Sequence, residues 1–138
     1  MNNEKTNLRG IEKMEKGDFR DLEAWKKCKE IRKEIWFLCK TFPPEEKFRL
    51  SDQMIRSSRS ATALIAEGYG RFHYQETMQF CRQARGSLYE LIDHVDVALE
   101  CEYLNEKKAE TFWGKIKEAI RVVNGYIRYI KTRKEEEG

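Results

Sequence analysis

The two histidines are the first place to look for chemistry, because an imidazole can act as acid, base or metal ligand near neutral pH. His94 follows Glu90 by one helical turn. A carboxylate-bridged metal site in a helical bundle, however, needs Glu-x-x-His on two helices and two further inward glutamates. Glu90-Leu91-Ile92-Asp93 misses the first of those spacings, so His94, beside Asp93, reads as a solvated residue on an outer face. His73 lies between Phe72 and Tyr74 in a predicted loop, with no cysteine at zinc-ligand spacing. The four cysteines, Cys28, Cys39, Cys81 and Cys101, form no CxxC pair and read as reduced thiols used as small apolar residues. Gly68-Tyr69-Gly70-Arg71 follows a predicted helix, whereas a phosphate-binding loop follows a strand. No serine or cysteine is marked as an activated nucleophile. The expectation is a protein that is not an enzyme, with no cofactor, no metal and no small-molecule substrate.

The cations carry more information than these groups. Arg49, Arg56, Arg59, Arg71, Arg82 and Arg85 dominate the middle of the chain, while Lys26, Lys27, Lys29, Lys33, Lys107, Lys108, Lys115 and Lys117 sit nearer its two ends. Glu90, Asp93, Asp96, Glu100 and Glu102 make an intervening stretch acidic. Net charge is only +3, so the distribution matters more than the sum. Arginines interleaved with Phe72, His73 and Tyr74 suit phosphates and exposed bases, through forked hydrogen bonds and stacking. The same arginines could instead pair with acids within or between subunits. Arg56, Arg59, Arg71, Arg82 and Arg85 are the candidate nucleic-acid or partner-binding residues.

Helices must position these groups. The 138 residues, enough for one domain, are 37% charged and 40% hydrophobic with two prolines, a mix that favours long helices. A flexible tail over 1–18 precedes a bundle over 19–131, and a charged, frayed tail occupies 132–138. Asp18 or Asp21 caps a first helix from about 21 to 41, with Phe19 packing back as a staple. Leu22, Trp25, Cys28, Ile31, Ile35, Leu38 and Phe42 line its inner face, and Pro43 and Pro44 stop it. Pro44-Glu45-Glu46 opens the second helix, which carries Met54, Ile55, Ser58, Ala61, Thr62 and Ile65 and ends at Gly68 and Gly70 in a left-handed cap. A third helix spans about 74–102, with Met78, Cys81, Ala84, Leu88, Leu91, Val95 and Ala98 inward. Asn105 caps a fourth, which carries Phe112, Trp113, Ile116, Ile120, Val123, Ile127 and Ile130.

Short connections predict an all-α, antiparallel up-down-up-down four-helix bundle. Trp36, Phe37, Phe72, Phe80, Tyr126 and Tyr129 add apolar surface beyond one core stripe, which predicts a homo-oligomer. No apolar run is long enough to cross a bilayer, and Met1 to Arg20 lacks the apolar stretch of a signal peptide, so the expected location is cytoplasmic.

Four motifs in order then carry a resemblance: Phe19-Arg20-Asp21-Leu22-Glu23-Ala24-Trp25, Phe42-Pro43-Pro44-Glu45-Glu46, Ile65-Ala66-Glu67-Gly68-Tyr69-Gly70-Arg71 and Ala84-Arg85-Gly86-Ser87-Leu88-Tyr89-Glu90-Leu91. Over about Phe19 to Lys131 the chain closely resembles the four-helix bundle proteins encoded in 23S rRNA intervening sequences. More distantly it resembles the accessory variability proteins of diversity-generating retroelements. The resemblance implies an antiparallel bundle in a ring-like homopentamer. Through the more distant family it implies a basic surface that binds a reverse transcriptase and nucleic acid. Glu67, Arg71, Arg85, Gly86 and Glu90 match the family pattern, and with Gly68 and Gly70 they are expected to cap a helix end, to allow a close crossing at Gly86 and to form ion pairs. Leu64 departs from that pattern, which usually has Asn there. The expected function is a non-enzymatic oligomeric scaffold that binds RNA, DNA or a nucleic-acid enzyme such as a reverse transcriptase. The alternative is a purely structural protein-interaction module without nucleic-acid affinity.

Overall fold

The computed structural model describes residues 17–137. Nearly all of the expected tail over 1–18, and Gly138, lie outside the described residues. Among the described residues there are four α-helices, two short 3-10 turns and no strand: α1 (Glu23–Cys39), α2 (Leu50–Tyr69), α3 (Tyr74–Glu100) and α4 (Glu106–Glu137).

The Asp18 side chain accepts from Arg20 N at 2.8 Å, but it caps a 3-10 turn over Phe19–Asp21, and α1 begins only at Glu23. Phe19 does fold back, meeting the Trp25 ring edge-on at 5.3 Å between centroids. Ala24, Cys28, Ile31, Ile35, Leu38 and Cys39 are buried along α1, while Leu22 and Trp25 lie at the margin of the core.

Pro44–Glu46 forms a separate 3-10 turn and does not open α2. Arg49, at φ −123 and ψ −106, breaks the helical path, and Glu46 Oε1 then accepts from Leu50 N at 3.2 Å, satisfying one of the open donors of the new helix. Tyr103 OH donates to Glu46 Oε2 at 2.6 Å. That bond holds the Glu46 carboxyl below the usual carboxylate range and pushes the Tyr103 phenol up to about 12.

The expected left-handed cap at the glycines is also corrected. Gly68 is inside α2, and Gly70 stays right-handed at φ −76, because its N–H still donates to Ala66 O. The left-handed residue in the turn is Phe72, at φ 55. Gly68 serves close approach instead: a Cβ there would lie 2.8 Å from Phe80 Cβ and 3.3 Å from Thr77 O. Thr77 Oγ1 fills the contact by donating to Gly68 O at 2.8 Å.

In α3 the expected inward residues are buried, and so is His94, which corrects its placement on an outer face. His94 lies one turn beyond Leu91 and Glu90, and it is 8% exposed with Nε2 3.1 Å from Glu90 Oε2. Asn105 Oδ1 accepts from Lys108 N at 2.8 Å and caps α4. That helix runs on to Glu137 through the segment expected to be frayed, since Lys, Arg and Glu are good helix formers. Glu137 accepts from Arg133 and from Tyr74 OH, which ties down its end.

Side-chain bonds link successive neighbours. Arg32 joins α1 to Thr62 of α2, Ser57 joins α2 to Ser87 O of α3, Arg85 joins α3 to Asn124 of α4, and Lys115 joins α4 to Glu34 of α1. The result is a four-helix bundle around one aliphatic core. Cys28, Cys39 and Cys81 lie in that core, where burial pushes their thiols up to about 12, 11 and 11, while Cys101 is exposed. A thiol reagent is therefore expected to label Cys101 alone in the folded protein and all four thiols in denaturant. Rapid labelling of a second thiol without denaturant would show that the core opens.

Candidate nucleic-acid interface

Helical spacing places Trp25, Lys29, Arg32 and Trp36 on one outer stripe of α1, with Lys40 just past its end. Arg59 of α2 leans onto the same stripe, with its guanidinium 5.6 Å from the Trp36 ring centroid. Arg32 Nη1 donates to Thr62 Oγ1 at 2.9 Å and lies 5.8 Å from the Trp25 ring, which Lys29 approaches at 5.4 Å. Lys40 lies 5.1 Å from Trp36 and 5.5 Å from Phe37.

A ring face attracts a cation without neutralising it. None of these four cations pairs with a carboxylate among the described residues. Elsewhere the pattern differs: Arg56 pairs with Asp52, Arg71 with Glu67, Lys115 with Glu34 and Arg121 with Glu118. The Arg32–Arg59 pair separates two shallow hollows, of about 420 Å³ beside Trp25 and about 350 Å³ beside Trp36. The chemistry on offer is non-covalent: anion pairing and stacking. Among the described residues no group of His, Cys, Asp and Glu could hold a metal ion.

The five candidate arginines are not gathered into one cluster. Arg56 and Arg59 are exposed on α2, and only Arg59 reaches the aromatic stripe. Arg71 pairs with Glu67 at 2.9 Å and lies 5.0 Å from the Phe80 ring. Arg85 Nη1 donates to Asn124 Oδ1 at 2.7 Å, on the far flank of the bundle from α1, and Arg82 is exposed one turn before it. Glu90, Asp93, Glu100 and Glu102 are exposed along the second half of α3 and just beyond it, so that region is acidic. Leu64 is half-buried against the core. Arg32 escaped the sequence reading, although Trp25, Lys29, Arg32 and Trp36 recur at helical spacing and could have revealed the stripe.

Gly86 contradicts the expected close crossing, because a Cβ there would meet nothing within 4 Å and the residue is exposed. A glycine inside an exposed helix costs backbone entropy, so Gly86→Ala is expected to stabilise the lone bundle by about 0.5–1 kcal/mol. Urea unfolding reads the gain. Loss of stability, or of assembly, in that variant would place a close neighbour on Gly86.

Together these features define a small helical bundle with a cationic, aromatic stripe on one side. The chain belongs to the 23S rRNA-intervening sequence protein family, whose model matches residues 20–125. Among solved structures it is similar to a protein of unknown function from the S23 ribosomal protein family of Bacteroides thetaiotaomicron. The two share 22% identity with a TM-score of 0.70, over 76% of this chain and 95% of that one. A comparison with curated proteins finds no match. None of the helices is long and apolar enough, among the described residues, to cross a membrane.

Proposed function

We propose that this chain is a non-enzymatic cytoplasmic scaffold that binds nucleic acid, or a nucleic-acid enzyme such as a reverse transcriptase, through basic surface. In this reading the bundle is antiparallel, up-down-up-down, and assembles into a ring-like homopentamer. Bonds between opposite helix ends support the topology: Tyr74, at the start of α3, meets Glu137 at the end of α4. Exposed rings support the assembly, with Phe37 at 61% and Phe72 at 86% exposure.

One observation carries the nucleic-acid reading: Arg32 and Arg59 lie between two indoles with no carboxylate partner among the described residues. Of the other candidate arginines, Arg56 lies one turn before Arg59 on α2, while Arg71, Arg82 and Arg85 lie away from this stripe. The test is binding to a structured ribosomal RNA fragment and to duplex DNA across a salt series. Submicromolar binding that weakens steeply with salt supports phosphate contacts. No binding at low salt sinks the reading and leaves the protein-only module, which the exposed Phe48 and Phe72 rings favour.

A further inference from the structure

We infer that the α1–α2 stripe is a track for one unpaired strand of nucleic acid, with bases stacked in the hollows beside Trp25 and Trp36 and phosphates at Arg32 and Arg59. The inference rests on the nucleic-acid reading above and narrows it to a class of ligand. Two hollows alternate with a ridge of fixed charge. Arg32 is held in place by Thr62, and Arg59 lies over an indole that is 42% exposed. Trp25 and Trp36 are eleven residues apart on α1, about 16 Å along the helix, a span that suits a few extended nucleotides. Bases inside a duplex are already stacked on one another, so an indole set in a hollow offers them little. Every unpaired base, by contrast, has a free face that an aromatic ring can take.

The track continues past Trp36. Phe37 lines both the second hollow and a larger groove of about 860 Å³ that runs to Lys107 and Lys108 at the start of α4. Among the described residues one carboxylate lines that groove, Glu34, and Lys115 neutralises it at 2.8 Å. The series therefore runs from ring to arginine ridge to rings to lysine pair, without an uncompensated acid in its lining. Such an order matches a strand that presents base, phosphate and base in turn.

The test compares short unstructured oligo(U) and oligo(dT) with a duplex of matched length, in competition and by tryptophan fluorescence. Trp113, whose indole N–H is buried, serves as the interior reference. Single strands are expected to bind tighter than the duplex and to quench the exposed Trp36 indole. Trp36→Ala is expected to weaken single-strand binding about tenfold without changing duplex affinity, while Trp36→Phe keeps most of it. Sedimentation and circular dichroism confirm that each variant keeps its fold and assembly. Equal affinity for duplex and single strand, still dependent on Arg59, overturns the track and leaves the broader reading intact. A Trp36→Ala variant that binds single strands normally does the same. Failure of every nucleic acid to bind removes both. Loss of the oligomer in Trp36→Ala makes the stripe a subunit contact and overturns the track.

Discussion

Leu88→Ala is expected to lower the free energy of unfolding by about 2–5 kcal/mol. Leu88 is 0% exposed and packs within a core of Leu91, Met54, Ile65 and other side chains of comparable burial. Removing three carbons there loses their transfer from water and leaves a cavity that rigid helices close only in part. A domain of this size has about 5–15 kcal/mol in total, so one such substitution removes a large share. The measurement is the urea midpoint followed by circular dichroism, with an unchanged slope showing that the unfolded state is the same. The contrast with Gly86→Ala sharpens the result, because two residues on the same helix then give changes of opposite sign. A Leu88→Ala loss under about 1 kcal/mol would mean that the α2–α3 packing relaxes into the space.

Much of that core is written in the sequence. Apolar residues at spacings of three and four, such as Cys28, Ile31, Ile35 and Leu38, or Leu88, Leu91, Val95 and Ala98, fall on the buried faces. Asn105 is legible as a cap because its side chain bonds a donor three residues along the same chain. What local pattern does not carry is any choice made between helices. His94 is polar, so composition places it outside, yet its position one turn from Leu91 puts it inside with Glu90 as partner. Gly86 and Gly68 are alike as residues, but only the second has Phe80 and Thr77 pressed against it. Likewise, an arginine on α2 gives no sign of whether its neighbour will be a carboxylate or an indole. Arg56 finds Asp52 one turn away on its own helix, while Arg59 finds Trp36 across the groove. The candidate site is therefore legible as a set of residue types and becomes a place only when α1 and α2 are side by side.

That difference between arginines makes charge reversal the most informative substitution. Arg59→Glu is expected to weaken nucleic-acid binding by about tenfold or more while the bundle stays folded. Folding should survive because Arg59 is exposed and, among the described residues, pairs with no carboxylate, so its reversal strands no buried partner there. Every phosphate that the variant no longer holds should also lower the salt slope, by about 0.7 for a single strand and about 0.9 for duplex DNA. Affinity and slope must fall together. Weaker binding with an unchanged slope would mean that stacking or folding had failed while the phosphates were still held.

Arg71→Glu and Arg85→Glu supply the comparison. The first brings a second carboxylate beside Glu67, and the second leaves Asn124 without its donor on the α3–α4 seam. Loss of stability, or of the proposed assembly, in those two variants makes their arginines structural. If instead they abolish binding with the fold intact while Arg59→Glu binds like the parent, the nucleic-acid surface lies on the α3 flank. The aromatic stripe would then need another ligand, because Arg32 and Arg59 would still lie beside two indoles without a carboxylate among the described residues.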